Sequence, residues 1–200
     1  MYALRVQGLE GEVRVLAQAG RFREGAERLI EGYGVEVFGY LVNNLGSHHD
    51  ASDAFQETCL DVLQGLERFE WRASARTWLY VLARNAAHRS RRSPHNRPNL
   101  GSVEDLEHLT AIVRSVTSPY LRSEVKDAFA HIREALDPDD RTLLTLRVDR
   151  DMSWNELAMV LAPDEAETHL PRVAARLRKR FQLVKEEVRR RAVEAGLIER

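Results

Sequence analysis

Two hundred residues carrying 30 Lys and Arg against 31 Asp and Glu have a formal charge of −1, with room for one medium domain or two small ones and, at 44% apolar, enough material for real cores. One cysteine, Cys59, excludes an internal disulfide and suits a reducing compartment. The first thirty residues interrupt their apolar positions with charges every few residues, and no apolar stretch is long enough to span a bilayer, so neither a signal peptide nor membrane insertion is expected and the chain reads as soluble and cytoplasmic.

In chain order, Phe22, Ala26, Leu29, Ile30, Tyr33, Val37, Tyr40 and Leu41 recur at three-and-four spacing and predict an amphipathic helix, weakened by Gly32, Gly34 and Gly39 so that packing must hold it. A second helix is expected from about Ala51 to Leu66, with Phe55, Cys59, Val62, Leu63 and Leu66 inward and Asp53, Gln56, Glu57, Leu60 and Gln64 on another strip. After a loop from Gly65 to Ser74, a third helix runs to about Arg92, burying Ala75, Trp78, Leu79, Leu82 and Ala86. Its other side presents Arg76, Tyr80, Arg84, His88 and Arg92 at four-residue steps as a basic strip.

The run SPHNRPNLGS, 93 to 102, has the composition of a linker; a short helix is expected at Val103 to Val113, before Ser118-Pro119 breaks the order again. Beyond it, Val125, Ala128, Phe129, Ile132 and Leu136 form a stripe. Asp137-Pro138 reads as an N-cap followed by proline at the first position of a helix reaching about Val148. Ser153-Trp154-Asn155-Glu156 is a capping box, with Met152 and Leu157 able to form the staple around it, so a helix should start at Ser153 and end near Leu161. Leu170, Val173, Ala174, Leu177, Phe181, Val184 and Val188 complete a long last stripe, with Arg172, Arg176, Lys179 and Arg180 facing elsewhere. No β pattern, short-period repeat or low-complexity tract is present, and the expected fold is all-α.

Charge is segregated along this chain. Between Trp71 and Val103 stand seven arginines and no acidic residue, and from Thr168 to Lys185 six cations and no acid. Such blocks suit a polyanion, and in FEWRASARTWLYVLARN, 69 to 85, aromatic rings alternate with cations in the way that unpaired bases and phosphates require together. Trp78, on the inward stripe, reads as core before base contact. Trp71 precedes the helix in a loop, where stacking on a base is open to it. A short helix, a turn and a longer basic helix make a helix-turn-helix or a plain helical hairpin with a solvated basic face, and periodicity does not separate the two. The seven histidines do not pair at metal-ligand spacing, and there is no phosphate loop, nucleophile elbow or apolar carboxylate pair, so neither an enzyme, a metal nor a cofactor is indicated.

DASDAFQE at 50 to 57 followed by RTWLYVLARN at 76 to 85 resembles the core signature of bacterial RNA polymerase sigma factors of the extracytoplasmic-function branch. The capping-box helix SWNELAMVL and the basic AARLRKRF at 174 to 181 resemble the family's other domain, so the likeness covers roughly 12 to 92 and 123 to 188. It implies a polymerase-binding helix at Asp53, Gln56 and Glu57, and a loop, Leu66 to Ser74, that captures a base flipped from the melting bubble. It further implies a minus-ten element held by Trp71, Arg72, Arg76, Thr77, Trp78, Tyr80, Arg84, Asn85, His88, Arg91 and Arg92. Thr77 and Trp78 match the strand-separating position, with Leu79 where primary sigma factors carry a second tryptophan. A minus-thirty-five element would be read by Arg172, Arg176, Lys179 and Arg180, on a helix starting near Thr168. APDEAETHLP, 162 to 171, departs from the pattern: about two residues longer, without the customary glycine, and containing Pro163 and Pro171.

The expectation is therefore two small helical domains, 1–92 and 123–200, the second a helix-turn-helix, joined by a flexible linker at 93–122. Acting without catalysis, the chain would direct core RNA polymerase to promoter DNA and help melt it, as a monomer when free and under an anti-sigma partner. The alternatives are a free-standing helix-turn-helix regulator, which would not need the Asp53, Gln56, Glu57 strip, and an adaptor of the same fold that does not bind DNA.

Overall fold

A computed structural model describes residues 2–92 and 131–199, with side chains from Gly8 onward in the first helix. The linker expected at 93–122, the helix expected at 103–113 and residues 123–130 lie outside the described residues. All regular structure among the described residues is helical, and the chain divides into two compact units, Met1–Ser118 and Pro119–Arg200.

The first unit comprises α1 (Tyr2–Gln18), α2 (Phe22–Leu45), α3 (His48–Gly65), a single 3₁₀ turn (Leu66–Arg68) and α4 (Ala75–Arg92). Helix α1 was not among the expected elements, although Leu9, Val13 and Ala17 at four-residue spacing are its buried stripe. The α2–α3 connection is set by chain chemistry. Gly46 takes φ 68° and its N–H closes on the Val42 carbonyl, then Ser47 accepts from the Asp50 N–H as N-cap of α3. The expected stripe of α2 is buried from Ala26 to Leu41, with Leu29, Val37 and Leu41 fully inside, while Phe22 at its start is half-buried. Phe38 meets Phe55 of α3, and Tyr40 meets Tyr80 of α4, edge to face with centroids 5.6 and 5.5 Å apart. Each such side chain contributes roughly 1.5–3 kcal/mol by burial.

The inner face of α4 differs from the expected one. Arg76 is 8% exposed and Thr77 and Tyr80 are wholly buried, whereas Trp78 and Leu82 are only half-buried. The helix is rotated because Glu36 of α2 takes the Arg76 guanidinium at 2.7 and 3.2 Å, which draws the arginine and the following Tyr80 inward.

In the second unit, residues 131–134 are helical and lead to α5 (Pro138–Leu144), a wider π-type turn (Thr145–Asp149), α6 (Trp154–Leu161) and α7 (Pro163–Glu194). Asp137 caps α5 with proline at its start, as expected, and Ser153 and Glu156 form both bonds of the capping box, at 3.3 and 2.8 Å. Arg141 is buried and donates to the carbonyls of Arg133, Glu134 and Leu136, closing the end of the preceding helical segment. Helix α7 breaks its helical geometry at His169 (φ −134°, ψ 42°). The break places Pro171 in the first turn of the longer segment, where its missing N–H does no harm. Ala158, Ala166, Val173 and Ala174 form the contact between α6 and α7, flanked by Trp154, Leu170 and Leu177.

Candidate nucleic-acid interface

The 69–74 loop between the 3₁₀ turn and α4 is built from rings. Phe69 stacks on Trp78 with centroids 4.6 Å apart and 16° between planes, and tilts against Trp71 at 4.9 Å. Trp71 has φ 57°, a left-handed conformation that a bulky side chain holds only where its surroundings impose it. Gly65 makes room for the stack, since a Cβ there would stand 3.0 Å from Trp78 Cζ2. Beside these rings opens a groove of about 570 Å³ whose apolar wall is Phe69, Trp78 and Leu82. Gln64 and Asn85 offer amides to it, and Arg68, Arg72 and Arg89 bring cations to its edge, where Arg72 pairs with Glu70 and Arg89 with Asp61, two carboxylates that also line the groove. A flat wall, hydrogen-bonding amides and peripheral cations are what an unstacked base and its phosphate would require.

The eleven minus-ten candidates therefore divide. Trp71, Arg72, Trp78 and Asn85 gather at the groove or its loop, and Arg84, His88 and Arg92 lie further along α4, half-buried or exposed. Arg76, Thr77, Tyr80 and Arg91 face the protein: Arg76 pairs with Glu36, Thr77 N–H donates to the Ser74 hydroxyl at 3.0 Å, Tyr80 packs on Tyr40, and Arg91 donates to the Asn44 side chain and carbonyl of α2. The expected solvent-facing strip through Arg76 and Tyr80 is thus interior at its first two positions. Leu82, expected in the core, is half-buried and lines the groove, as do Phe69 and Arg89, which were not among the expected site residues. Arg89 was visible only as one of the clustered arginines, because its partners lie on another helix.

Asp53, Gln56 and Glu57 share the half-buried side of α3, as their spacing requires. This side is not purely acidic in the fold. Arg89 reaches across from α4 to Glu57 at 3.0 Å and Asp61 at 2.8 Å. Burial works against the charge on Arg89, but the bonds to the two carboxylates outweigh it and raise its pKa.

In the second unit, Arg172, Arg176, Lys179 and Arg180 are all exposed on α7. Two of them are held by carboxylates in fork geometry: Arg176 by Glu165 at 2.7 and 2.6 Å, and Arg180 by Asp140 at 2.7 and 2.6 Å. The Arg176 bond keeps the Glu165 carboxyl below its ordinary range. Arg147 and Arg178 lie over the Trp154 ring, 5.1 and 5.5 Å from its centroid, and Phe181 meets it edge-on at 5.6 Å. Among the described residues no helix is long and apolar enough to cross a membrane, and no group of three His, Cys, Asp or Glu could hold a metal ion.

Residues 29–97, which span α3, the ring loop and α4, match the family described as Sigma-70 region 2. The chain is 28% identical over 140 residues to the RNA polymerase sigma-H factor of Pseudomonas aeruginosa, covering 66% of this chain and 72% of that protein. It is also 28% identical over 176 residues to the RNA polymerase sigma factor YlaC of Bacillus subtilis, covering 84% and 99%. Its identity to the ECF RNA polymerase sigma factor SigG of Mycobacterium tuberculosis is 30% over 138 residues, 58% of this chain and 37% of that one.

Proposed function

We propose a mechanism from this premise: the chain belongs to the extracytoplasmic-function branch of the bacterial RNA polymerase sigma factors and directs RNA polymerase in transcription initiation. The first unit docks on core polymerase through Asp53, Gln56 and Glu57, the two carboxylates gaining charge-assisted hydrogen bonds from a basic helix laid on them and the Gln56 amide adding a neutral one. The groove walled by Phe69, Trp78 and Leu82 takes a base that has left the stack, and Arg72, Arg84 and Arg92 hold the backbone on either side. In the second unit, α6 and α7 act as a helix-turn-helix that sets Arg172, Arg176, Lys179 and Arg180 against the upstream element. The domain division is 1–92 and 123–200 around a linker, the site of action is the cytoplasm, and regulation is by an anti-sigma partner.

One observation carries this reading: an arginine-rich helix free of acids borders a half-exposed aromatic groove, within the segment matching Sigma-70 region 2. Stacking on such a wall contributes about 1–3 kcal/mol per base and needs the duplex opened first. The test is reconstitution with core RNA polymerase on a library of random upstream sequences, sequencing the templates transcribed. Recovery of a two-element promoter supports the reading. A chain that binds duplex DNA but programs no transcription would instead be a free-standing regulator.

A further inference from the structure

The start of α4 is capped from a distance. Its first N–H groups, those of Ala75 and Arg76, donate at 2.9 Å each to the two carboxylate oxygens of Glu10 in α1, and the next, Thr77, donates to Ser74. The first intrahelical bond then runs from Trp78 N–H to the Ser74 carbonyl at 3.0 Å. A negative charge at a helix start is ordinarily supplied by an acid in the first turn. Helix α4 has none there. Glu10 supplies the charge from the protein side.

One turn further along α1, on the same face, Arg14 places its guanidinium 5.6 Å from the centroid of the Trp71 ring. One face of α1 therefore grips the ring loop at two points: the left-handed Trp71 within it through a cation, and the start of α4 that follows it through an anion. The Tyr33 hydroxyl stands 3.4 Å from Glu10 Oε1, and Glu36 holds the Arg76 side chain, so the carboxylate and the helix start it caps are both fixed by α2.

We propose that Glu10 and Arg14 are positioning residues for promoter melting, holding the 69–74 loop in the shape that receives an unpaired base. The proposal rests on the reading of that loop as the strand-capturing element. Neither residue touches the base; both act by keeping Trp71 and α4 in register before the duplex opens. Their loss is felt where the protein must trap a transiently exposed base, and little where the base is already unpaired.

The experiment uses the full chain with core RNA polymerase and a promoter recovered from the library, as closed duplex and as a template with its bubble pre-melted by mismatches. Open-complex formation is followed by permanganate reactivity for wild type, Glu10→Gln, Arg14→Leu and Trp71→Ala, alongside core affinity and thermal melting. Glu10→Gln keeps the side chain's size and Arg14 is exposed, so both variants should melt near wild type, which the thermal melting checks. Each should open the closed template about five- to tenfold more slowly, the effect of weakening one helix cap or one ring contact, with the pre-melted template within about twofold of wild type. Equal losses on both templates would make these residues merely structural and overturn the proposal. Wild-type rates for both variants, with Trp71→Ala still selective for the closed template, would overturn it while leaving the loop reading intact. A Trp71→Ala protein without that selectivity would remove the loop reading, and the proposal with it.

Discussion

Arg76 shows how a single residue changes role when its neighbours are known. In the sequence it is one cation of a basic strip; in the fold its guanidinium is nearly inaccessible and forms a two-point bond with Glu36, forty residues away. Removing one partner of a buried pair leaves an uncompensated charge, so Arg76→Ala should destabilise the first unit by about 3–5 kcal/mol, read from the denaturant midpoint. A loss under 1 kcal/mol together with weakened DNA binding would return Arg76 to the interface. Glu57 carries a related lesson. Reversing its charge would set a lysine against Arg89, so the docking face is better tested at Asp53 and Gln56 than at Glu57. Cys59 gives the pH-dependent case. Burial pushes its thiol up to about 12 from 9.0, disfavouring the thiolate in the folded state. Because the folded value is the raised one, its contribution is fully present below pH 9 and is lost as pH rises toward 12. Native protein at pH 8 should therefore resist iodoacetamide, and alkylation should follow the unfolding curve; rapid alkylation without denaturant would contradict the burial.

The same limit governs elements. Stripes on α2, α3 and α7, and the caps at Asp137 and Ser153, were legible because the residues that decide them lie within one helix of each other. Helix α1 was not, because Gly8 and Gly11 lower its intrinsic preference and its stability comes from what it touches: Leu9 on α2, Glu10 on α4, Arg14 on Trp71. The rotated face of α4 was missed for a like reason, since periodicity ranks Trp78 above Arg76 for burial until Glu36 is placed. Gly32 shows the α1–α2 contact most directly. A Cβ there would stand 2.1 Å from Leu9 Cδ2 and 3.1 Å from its Cγ and Cδ1, whereas one at Gly11 meets nothing within 4 Å. Gly11→Ala should gain up to about 1 kcal/mol of helix preference. Gly32→Ala gains the same preference but makes the Leu9 side chain turn aside, so its net gain should be smaller. A smaller rise in the denaturant midpoint at Gly32 than at Gly11 is the expected result, and equal rises would mean that α1 does not seat on Gly32.

At the scale of the whole molecule, the two cation-rich segments are partly neutralised within the fold, because several of their arginines are held by carboxylates brought in from elsewhere in the same unit. Arg89 is held by Glu57 and Asp61, Arg176 by Glu165, and Arg180 by Asp140. Two of the four residues proposed to read the upstream element thus carry an internal anion that DNA phosphates must displace. Exposed pairs of this kind are individually weak, about 0–1 kcal/mol, so DNA can displace them, though at some loss of affinity. Neutralising both carboxylates, Glu165→Gln with Asp140→Asn, should therefore tighten binding of the full chain to duplex DNA. Each arginine released to a phosphate should steepen the dependence of log K on log salt by about 0.9. Fluorescence anisotropy across a salt series measures both quantities, and thermal melting checks that α5 and α7 remain folded. Weaker binding with an unchanged slope would mean that the carboxylates orient the arginines for contact, and Glu165 and Asp140 would then belong to the reading surface.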